Sequence, residues 1–287
     1  MITVLDIEQD TRTGIFARAA SALKCGEVSV QIKECSGVRV KYISCARSQG
    51  RVDWAKIADL AGRARGYILC EKNLQLPKRL GFRRFYSRSL YRLMAINGAI
   101  TALSLLRTEC RRLSLCFCDL SGEYSRYAPL FLPLCGEMTV LTKSRAYSGF
   151  ADYAMAEYGA CVRISANQSA AAGCRVIVAP RFSQLDCIRG GCVMFTSGGI
   201  SRNPDIKTVS GYSWGMPPEY RELKPYFLSA EYFSQALYSI AKCTDASKAA
   251  PYEFYSNGQR LSAGDTASYI LDAVRSRLDT EGAKAYN

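Results

Sequence analysis

The 287 residues carry 38 Lys and Arg against 25 Asp and Glu, a formal net charge of +13, and no histidine. A chain of this length suits two domains of ordinary size, each able to bury a core. Without imidazole, His-based acid–base catalysis, Ser or Cys triads and HExxH metalloprotease chemistry are excluded, so any catalyst must draw on Asp, Glu, Lys, Tyr or Cys.

The thirteen cysteines are odd in number and show no CxxC pair. Most stand among aliphatic residues, as in Tyr67-Ile68-Leu69-Cys70, Leu115-Cys116-Phe117-Cys118 and Ala160-Cys161-Val162. They are expected to be small buried hydrophobes, with neither a disulfide framework nor a bound metal. The opening residues Met1 to Asp6 lack the charged and apolar regions of a secretory leader, so a cytoplasmic chain starting at Met1 is expected. The run Leu93 to Leu106 is 14 residues long and includes Asn97, too short and polar for a bilayer, which predicts a buried helix and no membrane partner.

In chain order, Ile2 to Asp6 predicts a first strand and Gly14 to Leu23 a helix. Val28 to Lys33 and Val38 to Ile43 alternate cleanly around Ser36-Gly37 and predict a hairpin with one wet face. Asp53 is placed to cap a helix burying Trp54, Ile57, Ala58, Leu60 and Ala61, and Tyr67 to Cys70 predicts a short buried strand. A loop from Leu76 to Ser87 is dense in arginine and aromatics, and a helix over about Ser89 to Arg107 follows. The boundary is expected near 110, giving an α+β domain over 1–110 and a second domain over 111–287.

From Leu113 the pattern becomes strand, helix, strand. Strands are predicted over Ser114–Leu120, Met138–Thr142, Cys161–Ser165, Arg175–Pro180 and Cys192–Thr196, with helices over Tyr124–Cys135 and Ser148–Tyr158. Such alternation implies an α/β fold with a parallel sheet. Beyond Gly198 the chain is loop-rich through Pro217-Pro218. A helix capped by Ser229 follows, then a hairpin turning at Asn257-Gly258, and a last helix with a Ser262 to Asp265 capping box. Both terminal helices are expected to pack on the second domain.

Charge is unevenly spread. Residues 1–112 hold 21 Lys and Arg against 9 Asp and Glu, a net of +12, and 113–287 hold 17 against 16. No acidic residue lies between Glu71 and Glu109, where Lys78, Arg79, Arg83 and Arg84 make a candidate anion-binding loop. Phe82, Phe85 and Tyr86 interleave with these cations. Two readings stay open: phosphates held and bases stacked, as in single-strand nucleic-acid binding, or aromatics anchored in a core with arginines along its rim. No recognised nucleic-acid motif accompanies the loop.

In its order of elements the stretch Ser114 to Gly199 resembles the Rossmann-like domains of the shikimate-dehydrogenase and glutamyl-tRNA-reductase type. The resemblance implies a ligand site at the carboxyl edge of the sheet. The candidates there are Asp119, Ser121 and Gly122 after the first strand, and Thr142, Lys143 and Arg145 after the second. Pro180, Ser197 and Gly198 follow the fourth and fifth. The first turn has one glycine where the dinucleotide fingerprint has three, and Glu123 brings a carboxylate to the expected phosphate position. Lys143 and Arg145 would suit the 2′-phosphate of NADP; equally they are ordinary charges on a solvated loop. Three functions therefore stand: binding of a nucleotide or phosphorylated small molecule in an interdomain cleft, a degenerate Rossmann-like interaction or regulatory module without cofactor, and nucleic-acid binding through the basic half.

Overall fold

The computed structural model describes residues 1–8, 28–46, 52–106, 111–181, 185, 187–188, 191–242, 245 and 249–285. The helix expected over Gly14–Leu23 lies outside them. The chain forms two compact units, Met1–Ser87 with Gly215–Ala246, and Arg88–Trp214 with Ser247–Asn287. The division falls at Ser87 rather than near 110, because the helix Arg88–Ser104 buries Leu93, Met94, Ile96 and Ala99 within the second unit.

The first unit is an α+β fold around a three-stranded sheet in the order β1-β3-β2. Strand β1 (Ile2–Glu8) runs parallel to β3 (Val38–Ala46), which pairs antiparallel with β2 (Val28–Cys35). The hairpin turns at Ser36 and Gly37, both with positive φ. One face buries Ile2, Val4, Val38 and Val40 against Leu69, Phe85, Phe233 and Leu237. The other buries Leu5, Ile43 and Cys45 against Ile57, Ala61, Ile68, Cys70 and Phe82. Helix α1 (Trp54–Ala61) is capped as expected, the Asp53 carboxylate accepting from Lys56 N at 3.0 Å. The strand expected over Tyr67–Cys70 reduces to isolated bridges, Val4 to Leu69 and Ile68 to Arg84.

Covering the first face of this sheet is a segment far away in sequence. It contains α4 (Ala230–Ala236), capped by Ser229 Oγ, which accepts from Tyr232 N at 3.2 Å. This helix thus belongs to the first unit, contrary to the sequence expectation, because Phe233, Ala236 and Leu237 complete that unit's core.

The second unit is an α/β fold on an eight-stranded sheet, in the order β11-β10-β9-β8-β7-β4-β5-β6. Its parallel part comprises β4 (Ser114–Cys118), β5 (Glu137–Leu141), β6 (Val162–Ser165), β7 (Val176–Ala179), β8 (Cys192–Thr196) and β9 (Ile206–Trp214). Numbered within the unit that order is 3-2-1-4-5-6, the Rossmann order. The hairpin β10 (Pro251–Ser256) and β11 (Gln259–Leu261) extends the sheet antiparallel and turns at Asn257-Gly258 with positive φ at both residues, as the sequence predicts.

Helix α2 (Arg88–Ser104) lies on β7 to β10. Helix α3 is Phe150–Tyr158, and α5 is Ala263–Ala285, with Ser262 Oγ accepting from Asp265 N at 3.0 Å as the capping box requires. The helix expected over Tyr124–Cys135 is found as a 3₁₀ helix, Ser125–Leu134, with Pro129 and Pro133 inside it. One expectation fails. Strand β9, in a stretch expected to be loop, is buried at Ile206, Thr208 and Val209.

The seat of α2 on the sheet depends on Gly98. A Cβ there would stand 2.8 Å from Tyr212 Cε1 and 2.9 Å from Phe254 Cε1, two rings of buried residues on β9 and β10. Gly98→Ala is therefore expected to destabilise the protein by about 1–3 kcal/mol through overpacking, read from the midpoint of denaturant unfolding.

Candidate functional site

In the Rossmann order the chain leaves β4 for β5 on one side and comes back on the other side at β7, so the crevice between the loops after β4 and β7 is the expected ligand position. The loop after β4 is Asp119 to Tyr124. Asp119 is 3% exposed, and its carboxylate is surrounded by donors. Oδ1 accepts from Gly122 N at 3.1 Å and Ser121 Oγ at 3.3 Å; Oδ2 accepts from Tyr124 N at 2.8 Å and from the Tyr147 hydroxyl at 3.0 Å. Burial first, and then the Asp119 charge, push the Tyr147 pKa far above its ordinary value.

Gly122 is required at the turn: its φ is +76°, and a Cβ would stand 2.3 Å from Ser144 Oγ. Glu123 turns away and ion-pairs with Arg181, which follows β7, joining the two sides of the crevice. After β5, Thr142 is buried and its hydroxyl accepts from Ser144 N at 3.0 Å. Lys143 and Arg145 are exposed beside it, and Lys143 N donates to Leu120 O at 3.3 Å. Pro180 is buried at the end of β7, and Ser197 and Gly198 are half-buried beyond β8. The structure therefore gathers Asp119, Ser121, Gly122 and Thr142 into two loops tied together, with Ser197 and Gly198 on the same sheet edge.

A dinucleotide does not fit this turn. The amides of Gly122 and Tyr124 already point at the chain's own carboxylate, and the segment that follows is 3₁₀, without the aligned dipoles of an α-helix N-terminus. Sequence reasoning placed the offending carboxylate on Glu123; it belongs to Asp119. Tyr147, which was not among the candidates read from the sequence, is the donor that was missed. For the amide contacts a signal was available, because an Asp shortly before Ser121-Gly122 favours a turn in which its carboxylate accepts from its own downstream amides.

The first unit holds the second grouping. A cavity of about 560 Å³ is lined by Leu74, Leu76, Lys78, Phe82, Arg83 and Arg84. Its loop is pinned by Ile68 N to Arg83 O at 3.0 Å, by Phe85 N to Ile68 O at 2.9 Å and by Gly81, which closes the turn Lys78–Leu80 at φ +81°. Phe82 and Phe85 are core anchors, 1% and 8% exposed, with Trp54 edge-on to Phe82 at 5.4 Å. Lys78, Arg79 and Arg83 are exposed, and among the described residues none of them has an ion-pair partner. Arg84 differs: its guanidinium donates to the carbonyls of Glu71 and of Leu74, the latter at 3.0 Å, so it holds the loop's shape. The Cys70 thiol beside it is pushed up by burial, against the pull of that guanidinium.

Six of the described cysteines are buried, but Cys161 is exposed, against expectation. No group of three potential metal ligands occurs among the described residues, and none of their helices is long and apolar enough to cross a membrane.

The fold and the carboxyl-edge geometry define an α/β protein with a Rossmann-like unit. No family model matches the chain, and no curated protein does. Among solved structures, an L-tryptophan dehydrogenase from Nostoc punctiforme is similar at 10% identity and a TM-score of 0.31, over 95% of this chain and 79% of that one.

Removing the Tyr147 hydroxyl leaves Asp119 short of a donor, so Tyr147→Phe is expected to cost about 1.5–3 kcal/mol near neutral pH, measured by denaturant unfolding. The pH dependence has a definite sign. With its folded pKa raised, Tyr147 contributes its full stability below the ordinary value of 10.0, and that contribution is lost as pH climbs above it, since the unfolded chain releases a proton the folded chain keeps. Stability should accordingly fall less steeply above pH 10 in Tyr147→Phe than in the parent.

Proposed function

We propose that the protein binds a small phosphorylated molecule in the cavity of its first unit. The observation that carries this reading is the pairing of Lys78 and Arg83, which have no ion-pair partner among the described residues, with an apolar lining of Leu74 and Leu76 over the buried Phe82. Its volume lies within the ordinary range for small-molecule pockets, and such pockets combine an apolar lining with a few fixed polar groups. A phosphate would gain two charge-assisted contacts, and an apolar or ring-bearing body would shelter against the wall. Burial of Phe82 and Phe85 in the core weighs against base stacking, so a small ligand is favoured over single-stranded nucleic acid.

The test is a thermal-shift panel of NADP, NAD, ATP, S-adenosylmethionine and simple phosphates. A ligand at ~100 times its dissociation constant stabilises by ~2.7 kcal/mol, which raises the melting temperature of a chain this size by several degrees. A selective shift that disappears in Lys78→Glu/Arg83→Glu supports the reading. A flat panel, or a shift that survives both charge reversals, overturns it.

A further inference from the structure

We infer that Asp119 is the resident anion of the switch-point turn, and that the Rossmann-like unit works without a dinucleotide because this carboxylate already fills the place a pyrophosphate would take. The inference is independent of the cavity in the first unit. A turn that grips phosphate needs a left-handed glycine, neighbouring amides turned toward one anion and a hydroxyl or two nearby. This turn has them all: Gly122 at φ +76°, the amides of Gly122 and Tyr124, and the hydroxyls of Ser121 and Tyr147. They converge within 2.8–3.3 Å on the two carboxylate oxygens of one buried side chain.

The usual arrangement of such a turn is thus retained, but its anion is supplied in cis by Asp119, the residue that follows β4. An external phosphate would have to displace a tethered carboxylate, whose effective concentration no free ligand matches. Arg181, the cation that follows β7, is already paired with Glu123 and adds no unmatched charge to attract it. The unit is then a scaffold whose ligand chemistry, if removed from the turn, is recoverable by deleting one side chain.

The experiment uses the full chain carrying Lys78→Glu/Arg83→Glu, so that the first unit's cavity contributes no binding, and follows the Gly122 and Tyr124 amide resonances by ¹⁵N NMR during titration with inorganic pyrophosphate and with NADP. With Asp119 present, both amides are expected to stay in place at millimolar ligand. In Asp119→Ala, both are expected to move with pyrophosphate in a saturable way. Movement of these amides while Asp119 is present overturns the inference, as does a folded Asp119→Ala whose amides ignore pyrophosphate. Should Asp119→Ala fail to fold, the arm with Asp119 in place decides, together with Asp119→Asn, which keeps the side chain's shape but removes its charge and is expected to admit pyrophosphate weakly. Failure of the cavity proposal shows in the thermal-shift panel and leaves these resonances unaffected.

Discussion

A carboxylate held out of water at the tip of a central parallel strand needs every one of its lone pairs answered, since an uncompensated buried charge costs several kcal/mol. Asp119 imposes that demand on the Rossmann-like unit. Its two oxygens draw in the backbone of Gly122 and Tyr124 from one loop and the hydroxyl of Tyr147 from the next. The left-handed turn at Gly122, the close approach of Ser144 and the orientation of Glu123 toward Arg181 are all consistent with that single requirement. Strand β4 sits between β5 and β7, so the Asp119 carboxylate sets the shape of the sheet's carboxyl edge where a ligand would be expected.

In the first unit the organising residue is also an ion, but it works through carbonyls. Arg84 spends its guanidinium on the backbone oxygens of Glu71 and Leu74, and the loop it closes then presents Lys78 and Arg83 outward. The neighbouring arginines thereby divide into a fastening, Arg84, and an exposed charge without an ion-pair partner among the described residues, Arg83. The first core face of the same unit depends on residues contributed from far along the chain, Phe233 and Leu237 among them, so the unit closes only when residues beyond 215 have been made.

Much of this was legible in sequence wherever the signal is local. The caps at Asp53, Ser229 and Ser262, the hairpin around Ser36-Gly37 and the Asn257-Gly258 turn all depend on side-chain and backbone chemistry within a few residues, and all are found. Four of the five parallel strands read from the sequence were legible because strands buried on both faces are largely apolar runs, as in Val176–Ala179; the fifth, β6, is half exposed and was legible from its place in the strand and helix alternation. Strand β9 was hidden by Ser210, Gly211 and Ser213, which dilute its alternation, although its neighbours β8 and β10 supply the pairing that stabilises it. The division of the chain was not legible either. An apolar helix such as Arg88–Ser104 announces that it is buried, but its composition does not say in which unit. Of the site, Asp119 stood among the candidates for holding a ligand, and in the fold its carboxylate instead accepts from the chain's own amides and hydroxyls.

Strand order therefore locates a ligand site without guaranteeing one, and the state of the donors decides. At the sheet edge Arg181 is matched by Glu123, and the inward amides are matched by Asp119, so little attraction for an external anion is left in the crevice. Lys143 and Arg145 remain exposed nearby, where water screens them. In the first unit the balance is reversed. Between Glu71 and Glu109 its chain offers no carboxylate to answer Lys78 and Arg83, which stand beside the apolar side chains of Leu74 and Leu76. The same accounting of filled and unfilled donors that closes the Rossmann-like crevice favours the basic cavity as the place where an anion would be held.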